Sequence, residues 1–223
     1  MSKYPEIDAV LAGESEGCIV CGDCLPILAA MPDGCVDAVV TDPPYGLGGK
    51  MQGGTWGAAE KYGDLRQWDI APTSESLLSV LAVGRAACVW GGNYFTLPVS
   101  RGWLVWDKKN AVKTMSDVEL AWTSLDMPAK RISLPVGKHH FGHPAEKPAL
   151  LIAWCLSFFP GDVILDPFCG SGTTCVAAKQ LGRRYIGIEL DPEYCKIARE
   201  RVANTPRPLP AKPIVNEKPR TLF

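Results

Sequence analysis

The chain has no run approaching the roughly 18 consecutive apolar residues that a membrane-spanning helix requires. Its first eight residues, Met1 to Asp8, are polar and lack the apolar core of a signal peptide. The expected location is therefore the cytoplasm, with no membrane partner. Histidine is scarce: His139, His140 and His143 are the only three in 223 residues, and they lie together. A zinc site needs three or four converging ligands, so a basic loop is the expected reading and no metal is anticipated. Net charge is also nearly absent, at −1. No overall positive field advertises nucleic acid, and any such contact must come from local patches. One candidate is Lys108, Lys109 and Lys113; another is Lys130, Arg131 and Lys138 with the histidines. Taken alone, each patch reads as solvated surface. The nine cysteines are odd in number and scattered through apolar segments, which excludes a disulfide framework and fits free core thiols. Cys18, Cys21 and Cys24 recur every three residues, yet no second Cys/His pair at ligand spacing completes a metal site.

What is present is an alternation of short apolar runs with helical stretches, the pattern of an α/β domain with a mostly parallel sheet. Seven strands are expected: Cys18 to Cys21, Val36 to Thr41, Ala86 to Trp90, Trp103 to Trp106, Val118 to Thr123, Val163 to Asp166 and Tyr185 to Glu189. Helices are expected over Cys24 to Ala30, Ser74 to Val83, Pro148 to Phe158, Thr173 to Leu181 and Pro192 to Asn204. Asp191-Pro192 supplies a cap and a first-turn proline for the last of these. Residues 1–204 read as one domain. Residues 205–223 form a tail with Pro206, Pro208, Pro210, Pro213 and Pro219, expected to be extended or disordered. Residues 46–72 form a long glycine-bearing stretch with little periodicity, expected to be a binding loop or lid; Trp56, Tyr62 and Trp68 weigh against a merely floppy insertion.

Two constellations carry chemistry. Asp42-Pro43-Pro44-Tyr45 ends the strand Val36 to Thr41, delivering an acid, two stiff residues and an aromatic ring to a strand's carboxyl edge. Alone it also reads as a capped turn. Asp166-Pro167-Phe168-Cys169-Gly170-Ser171-Gly172-Thr173-Thr174 joins a strand to a helix, and its glycines let backbone pass close to a ligand. It is neither a G-x-G-x-x-G fingerprint nor a Walker loop. The following strand ends in Glu189, where a carboxylate can accept hydrogen bonds from ribose hydroxyls.

Together, in this order, the two segments resemble the amino-group DNA methyltransferases that use S-adenosylmethionine, and the order resembles that of their beta group. Supporting segments are Gly22-Asp23-Cys24, His143-Pro144-Ala145-Glu146-Lys147-Pro148 and Arg184-Tyr185-Ile186-Gly187-Ile188-Glu189 with Tyr194, so the resemblance spans about Ile19 to Val202. It implies a Rossmann-like class I methyltransferase fold, circularly permuted, with a mostly parallel seven-stranded sheet, helices on both faces and one antiparallel strand near an edge. It further implies that Phe168, Gly170, Ser171 and Thr173 line the methionine end of the cofactor, with Asp166, Gly172 and Cys24 in the same binding set. On the same grounds Glu189 meets the ribose, Asp23 the adenine ring, and Lys147 the methionine carboxylate region.

The family's chemistry gives the tetrapeptide a purpose. An exocyclic amino nitrogen is a poor nucleophile because its lone pair is delocalised into the ring. Asp42 and the Pro43 carbonyl can accept its two hydrogens while Tyr45 stacks on a base flipped out of double-stranded DNA. Phe141, Trp56 and Tyr94 are further candidate stacking surfaces. Asp at the head of the motif resembles the adenine-N6 enzymes, whereas Ser is commoner in cytosine-N4 ones. Adenine-N6 methylation is the expected activity; the alternatives are cytosine-N4 methylation, a non-catalytic DNA-interaction module, and RNA or protein methylation. Sequence recognition is expected in compact loops, about 46–72 and 107–143, with a homodimer doubling the DNA contact.

Overall fold

The segment Val36–Thr41 reads Val-Asp-Ala-Val-Val-Thr, and Val36, Ala38, Val39 and Val40 are wholly buried in the computed structural model. A strand buried on both faces belongs inside a parallel sheet, and this one lies at the middle of eight. The structure describes residues 3–46, 70–109, 116–136 and 147–206. In chain order the elements are α1 (Pro5–Leu11), β1 (Gly17–Cys21), α2 (Cys24–Leu28), β2 (Val36–Thr41), α3 (Ser74–Ala82), β3 (Gly84–Trp90), a 3-10 turn (Gly92–Tyr94), β4 (Trp103–Asp107), β5 (Val118–Thr123), β6 (Lys130–Ser133), α4 (Ala149–Leu156), β7 (Val163–Asp166), α5 (Thr173–Gln180), β8 (Arg184–Glu189) and α6 (Pro192–Asn204).

The strands lie in the order β1-β8-β7-β2-β3-β5-β4-β6. All neighbours are parallel except β5, which runs antiparallel to both β3 and β4. β7, which carries the glycine-rich loop, comes late in sequence yet sits inside the sheet between β8 and β2, as a permuted order requires. Among the described residues the sheet has eight strands rather than the expected seven. The added one, β6, is an edge strand with Lys130 and Arg131 exposed, and its lone Ile132 gives no alternation from which to read a strand. α1 was likewise not expected; Ile7 and Val10 bury it against the sheet's second face.

Side chains alternate between two cores. Ala38, Val40, Cys88, Trp90 and Ile164 pack with α4 and α5 on one face. Val39, Ala87, Val89 and Leu165 pack with α1, α2 and α3 on the other. Helices thus cover both faces, which is what two apolar faces require. Among the described residues no helix is long and apolar enough to cross a membrane.

At the centre of β8 there is no room for a side chain at Gly187. A Cβ there would lie 2.6 Å from Ile19 Cδ1 and 2.8 and 3.0 Å from the Sγ atoms of Cys175 and Cys169. Gly187→Val is expected to cost about 1–3 kcal/mol of stability by overpacking. The measurement is the urea midpoint at unchanged slope, and a midpoint equal to that of the parent chain would contradict this packing.

Candidate active site at the carboxyl edge of the sheet

Pairing of Ala38 with Ile164 and of Val39 with Leu165 brings the carboxyl ends of β2 and β7 side by side. From this point β7 leads through α5 to β8 on one side, and β2 leads through α3 to β3 on the other. Such a switch point opens a crevice in which open α/β sheets bind ligands. Thr41 Oγ1 donates to Asp166 Oδ1 at 2.8 Å, and the Phe168 N–H donates to the same oxygen at 3.2 Å. Thr41 and Asp166 are 1% and 4% exposed, so this is a buried tie between the two chemistry-bearing segments. Burial pushes the Asp166 carboxyl up to about 6, against the opposing bonds from Thr174, Thr41 and the Phe168 amide.

The glycine-rich loop folds over the end of β7. Gly170 and Gly172 adopt left-handed φ values of 51° and 85°, and a Cβ at Gly172 would lie 2.9 Å from that of Ala198 on α6. Glu189 braces the loop: Oε2 accepts from the Gly170 N–H at 2.7 Å and Oε1 from the Asp191 N–H at 2.9 Å. Burial raises the Glu189 pKa, and these backbone donors oppose the rise. Each carboxylate oxygen carries two acceptor sites, so Glu189 retains capacity for ribose hydroxyls. The Gly22 N–H donates to the Glu189 carbonyl at 2.8 Å, which brings exposed Asp23 to the same edge. Asp23 Oδ1 caps α2 through the Leu25 N–H at 3.0 Å.

Several side chains of the expected binding set have partners within the protein. Arg201 donates to Ser171 O and Oγ at 2.7 and 2.6 Å and reaches Thr173 Oγ1 at 3.4 Å, so both hydroxyls are engaged by α6. Cys24 opens α2, with its side chain buried in the core. Lys147, expected near a methionine carboxylate, places its ammonium on Asp42 Oδ2, 3.3 Å from Glu119 Oε2.

Lys147 is one member of a chain of alternating charges. Glu119 Oε1 pairs with Lys108 Nζ at 2.6 Å, and Asp42 Oδ1 accepts from the Tyr45 hydroxyl at 2.5 Å. The Lys147 and Lys108 side chains are only 7% and 8% exposed. Burial pushes the Asp42 carboxyl up; Lys147 pulls it back and Glu119 adds to the rise, leaving it above the usual carboxylate range. Burial also works against the charge on Lys147, but Asp42 and Glu119 outweigh it and hold the ammonium. For Glu119, burial is outweighed by Lys147 and Lys108, which keep it below its ordinary value. Burial and the adjacent carboxylates raise Tyr45 well above 10, so it remains a neutral donor.

Tyr45 is fixed on several sides. Tyr94 stacks on it with ring centroids 4.8 Å apart at 22°, and Phe95 meets it edge-on at 6.2 Å. Gly91, with φ 65°, leaves the ring its space: a Cβ there would fall 2.2 Å from Tyr45 Cε1. Pro43 is buried directly before these residues. The arrangement offers a carboxylate acceptor, a stiffened carbonyl and an aromatic surface at one edge of the sheet, beside a glycine-rich turn. Among the described residues no His/Cys/Asp/Glu group is arranged to hold a metal.

Sequence reading missed Glu119, Phe95 and Gly91 as site residues. It placed Lys108 in an exposed basic patch, whereas Lys108 is buried on Glu119. The unusual acid within the apolar strand Val-Glu-Leu-Ala-Trp-Thr was the available signal for Glu119. Trp56, Tyr62, Trp68, Lys113, Lys138, His139, His140, Phe141, His143 and the segment Pro144 to Glu146 lie outside the described residues, as do most of the expected loops and residues 207–223.

The Asp166 shift has a consequence for stability. Because its folded pKa exceeds its unfolded value, its stabilising contribution is complete below about pH 4 and is lost as pH rises through about 6. Asp166→Asn retains an acceptor for Thr41 and is expected to gain roughly 2–3 kcal/mol over the parent chain between pH 4 and pH 7. Urea unfolding of both chains across that range is the check, and parallel pH profiles would refute a neutral buried carboxyl.

A family model described as DNA methylase, N6_N4_Mtase, matches residues 103–200. "Putative methylase YubD" of Escherichia coli (strain K12) is 32% identical over 211 residues, covering 83% of this chain and 90% of that one. "Type II methyltransferase M2.DpnII" of Streptococcus pneumoniae is 49% identical over 96 residues, 42% of this chain and 32% of its own length. Among solved structures, the M1.HpyAVI–SAM complex superposes with a TM-score of 0.54 at 22% identity, covering 83% of this chain and 98% of that one. PvuII DNA methyltransferase (cytosine-N4-specific) gives 0.57 at 20% identity, covering 84% and 86%. These structures share the fold, that of class I methyltransferases, and with the family model and the relative 32% identical over most of both chains, the protein belongs to the N6/N4 DNA methylase family.

Proposed function

We propose that the protein transfers a methyl group from S-adenosylmethionine to the exocyclic N6 of an adenine flipped out of double-stranded DNA. The observation that carries this reading is the juxtaposition of Asp42 with the loop of Asp166 to Thr174, tied by the Thr41–Asp166 hydrogen bond. An acceptor for an amino group and a turn suited to a nucleoside ligand then share one crevice. When bound, S-adenosylmethionine supplies an electrophilic methyl group on a sulfonium.

The chain's own residues do the rest. Asp42 accepts one amino hydrogen and the Pro43 carbonyl the other, which draws the nitrogen toward sp³ geometry and frees its lone pair for the methyl carbon. Pro43 and Pro44 hold that acceptor pair rigid. Tyr45, backed by Tyr94 and Phe95, stacks on the base, and such stacking contributes about 1–3 kcal/mol toward the cost of flipping. Glu189 accepts from the ribose, Asp23 approaches the adenine ring, and Phe168 with the backbone of Gly170 to Gly172 borders the methionine end. The lysine cation on Asp42 favours the ionised, acceptor-only carboxylate at neutral pH. Asp at the head of the tetrapeptide supports adenine as the target. A homodimer in the cytoplasm, contacting DNA through both copies, fits a chain whose recognition loops are compact.

Incubation with methyl-labelled S-adenosylmethionine and unmethylated DNA, followed by nucleoside mass spectrometry, is expected to yield labelled N6-methyldeoxyadenosine. Labelled N4-methyldeoxycytidine would overturn the base assignment, and an absence of label the activity. In the same assay Asp42→Ala is expected to slow transfer by at least about 100- to 1000-fold while cofactor affinity is retained. Glu189→Ala should weaken S-adenosylmethionine binding about 10- to 100-fold, the worth of hydrogen bonds to a charged group. Calorimetry reads this directly, and an unchanged affinity would remove Glu189 from the ribose.

A further inference from the structure

Asp42 faces a conflict that its proposed role does not resolve. Both its oxygens are engaged in this structure, Oδ1 by the Tyr45 hydroxyl and Oδ2 by the Lys147 ammonium. By count each oxygen keeps a second acceptor site, but rotating the carboxylate toward an amino hydrogen moves both oxygens and so loosens both bonds. Tyr45 can give up its bond cheaply, since it is neutral. Lys147 cannot, because its side chain is 7% exposed and a buried ammonium left without a counter-charge is strongly disfavoured.

Glu119 lies where a second counter-charge would be needed. It projects from β5, the antiparallel strand, and its Oε2 stands 3.3 Å from Lys147 Nζ. At that distance the pair is ionic, and among the described residues Oε2 makes no aligned hydrogen bond. Its other oxygen is fixed by Lys108 at 2.6 Å. The carboxylate is therefore held in place by Lys108, with its other oxygen already turned toward the ammonium in a longer ion pair. A shift of Lys147 by less than an ångström of separation would convert this ion pair into a full charge-assisted hydrogen bond, which forms at about 2.7–2.9 Å.

We propose that Glu119 is a positioning residue that takes over the Lys147 ammonium when Asp42 turns to the amino group of the target base. This rests on the reading of Asp42 as the amino-hydrogen acceptor. The lysine passes between two carboxylates without leaving a buried charge unpaired, and Lys108 keeps the receiving carboxylate from following it. Glu119 touches neither base nor cofactor and acts through Lys147 alone.

The test is the single-turnover rate of methyl transfer with DNA and S-adenosylmethionine prebound, measured in a double-mutant cycle. Glu119→Gln keeps the side-chain volume and an acceptor for Lys108 but removes the charge. It is expected to slow the single-turnover rate about 10- to 100-fold, the scale of a misplaced catalytic group, with KM for DNA and cofactor affinity within about twofold. Glu119→Asp, which restores the charge, is expected to recover much of the rate. In a Lys147→Met background there is no ammonium to hold, and Glu119→Gln should then change the rate by no more than about twofold. A parent-like rate for Glu119→Gln, or the same loss in both backgrounds, would overturn the proposal. Asp42→Ala run alongside separates the two levels: if it still turns over, the acceptor reading fails, whereas a dead Asp42→Ala with a normal Glu119→Gln removes only the role of Glu119.

Discussion

The parallel pairing of β2 with β7 is the contact on which the rest of the molecule depends. It joins residues more than 120 positions apart, Ala38 to Ile164 and Val39 to Leu165, and sets two loops at one edge of the sheet. The Thr41–Asp166 hydrogen bond then fixes the distance between those loops. Without this pairing the tetrapeptide and the glycine-rich turn are two separate strand ends. With it they border one crevice, because strands that leave a switch point in opposite directions cannot cover the gap between them.

A second constraint is the cost of burying charge. The crevice wall holds Asp42, Lys147, Glu119 and Lys108 in alternating order, so each charge removed from water meets at least one of opposite sign. Asp166 is also pushed up by burial, to about 6, and there hydrogen bonds from Thr174, Thr41 and the Phe168 amide oppose the rise, as Lys147 does for Asp42. The two acids at the ends of adjacent strands thus have different electrostatic characters. Asp42 is placed against a lysine and partly open to solvent, while Asp166 is sealed and serves the backbone around it.

Legibility followed the range of the interactions. Val36 to Thr41 and Val163 to Asp166 were readable as strands because burial on both faces demands continuous apolar runs, and α6 because Asp191-Pro192 caps it locally. β6 was not readable, since an edge strand half open to solvent has no need of a pattern. In the site, Asp42 to Tyr45 and the glycine-rich loop stood out because each is contiguous. Glu119 and Gly91 did not, because each matters only through what the sheet brings against it: Lys147 and Lys108 on one, the Tyr45 ring on the other. Lys108 looked like one more surface lysine for the same reason.

The sequence by itself determined the class of fold, the run of strands and helices, and the two segments that carry the chemistry, since all of these are written in local periodicity and contiguous motifs. Tertiary structure alone decided which charges face one another. It turned Ser171 and Thr173 toward Arg201, set Lys147 on Asp42, and buried Lys108 against Glu119. The physical reason is that a side chain's partner at long range is chosen by strand order and burial, and neither quantity is recorded in the spacing of neighbouring residues.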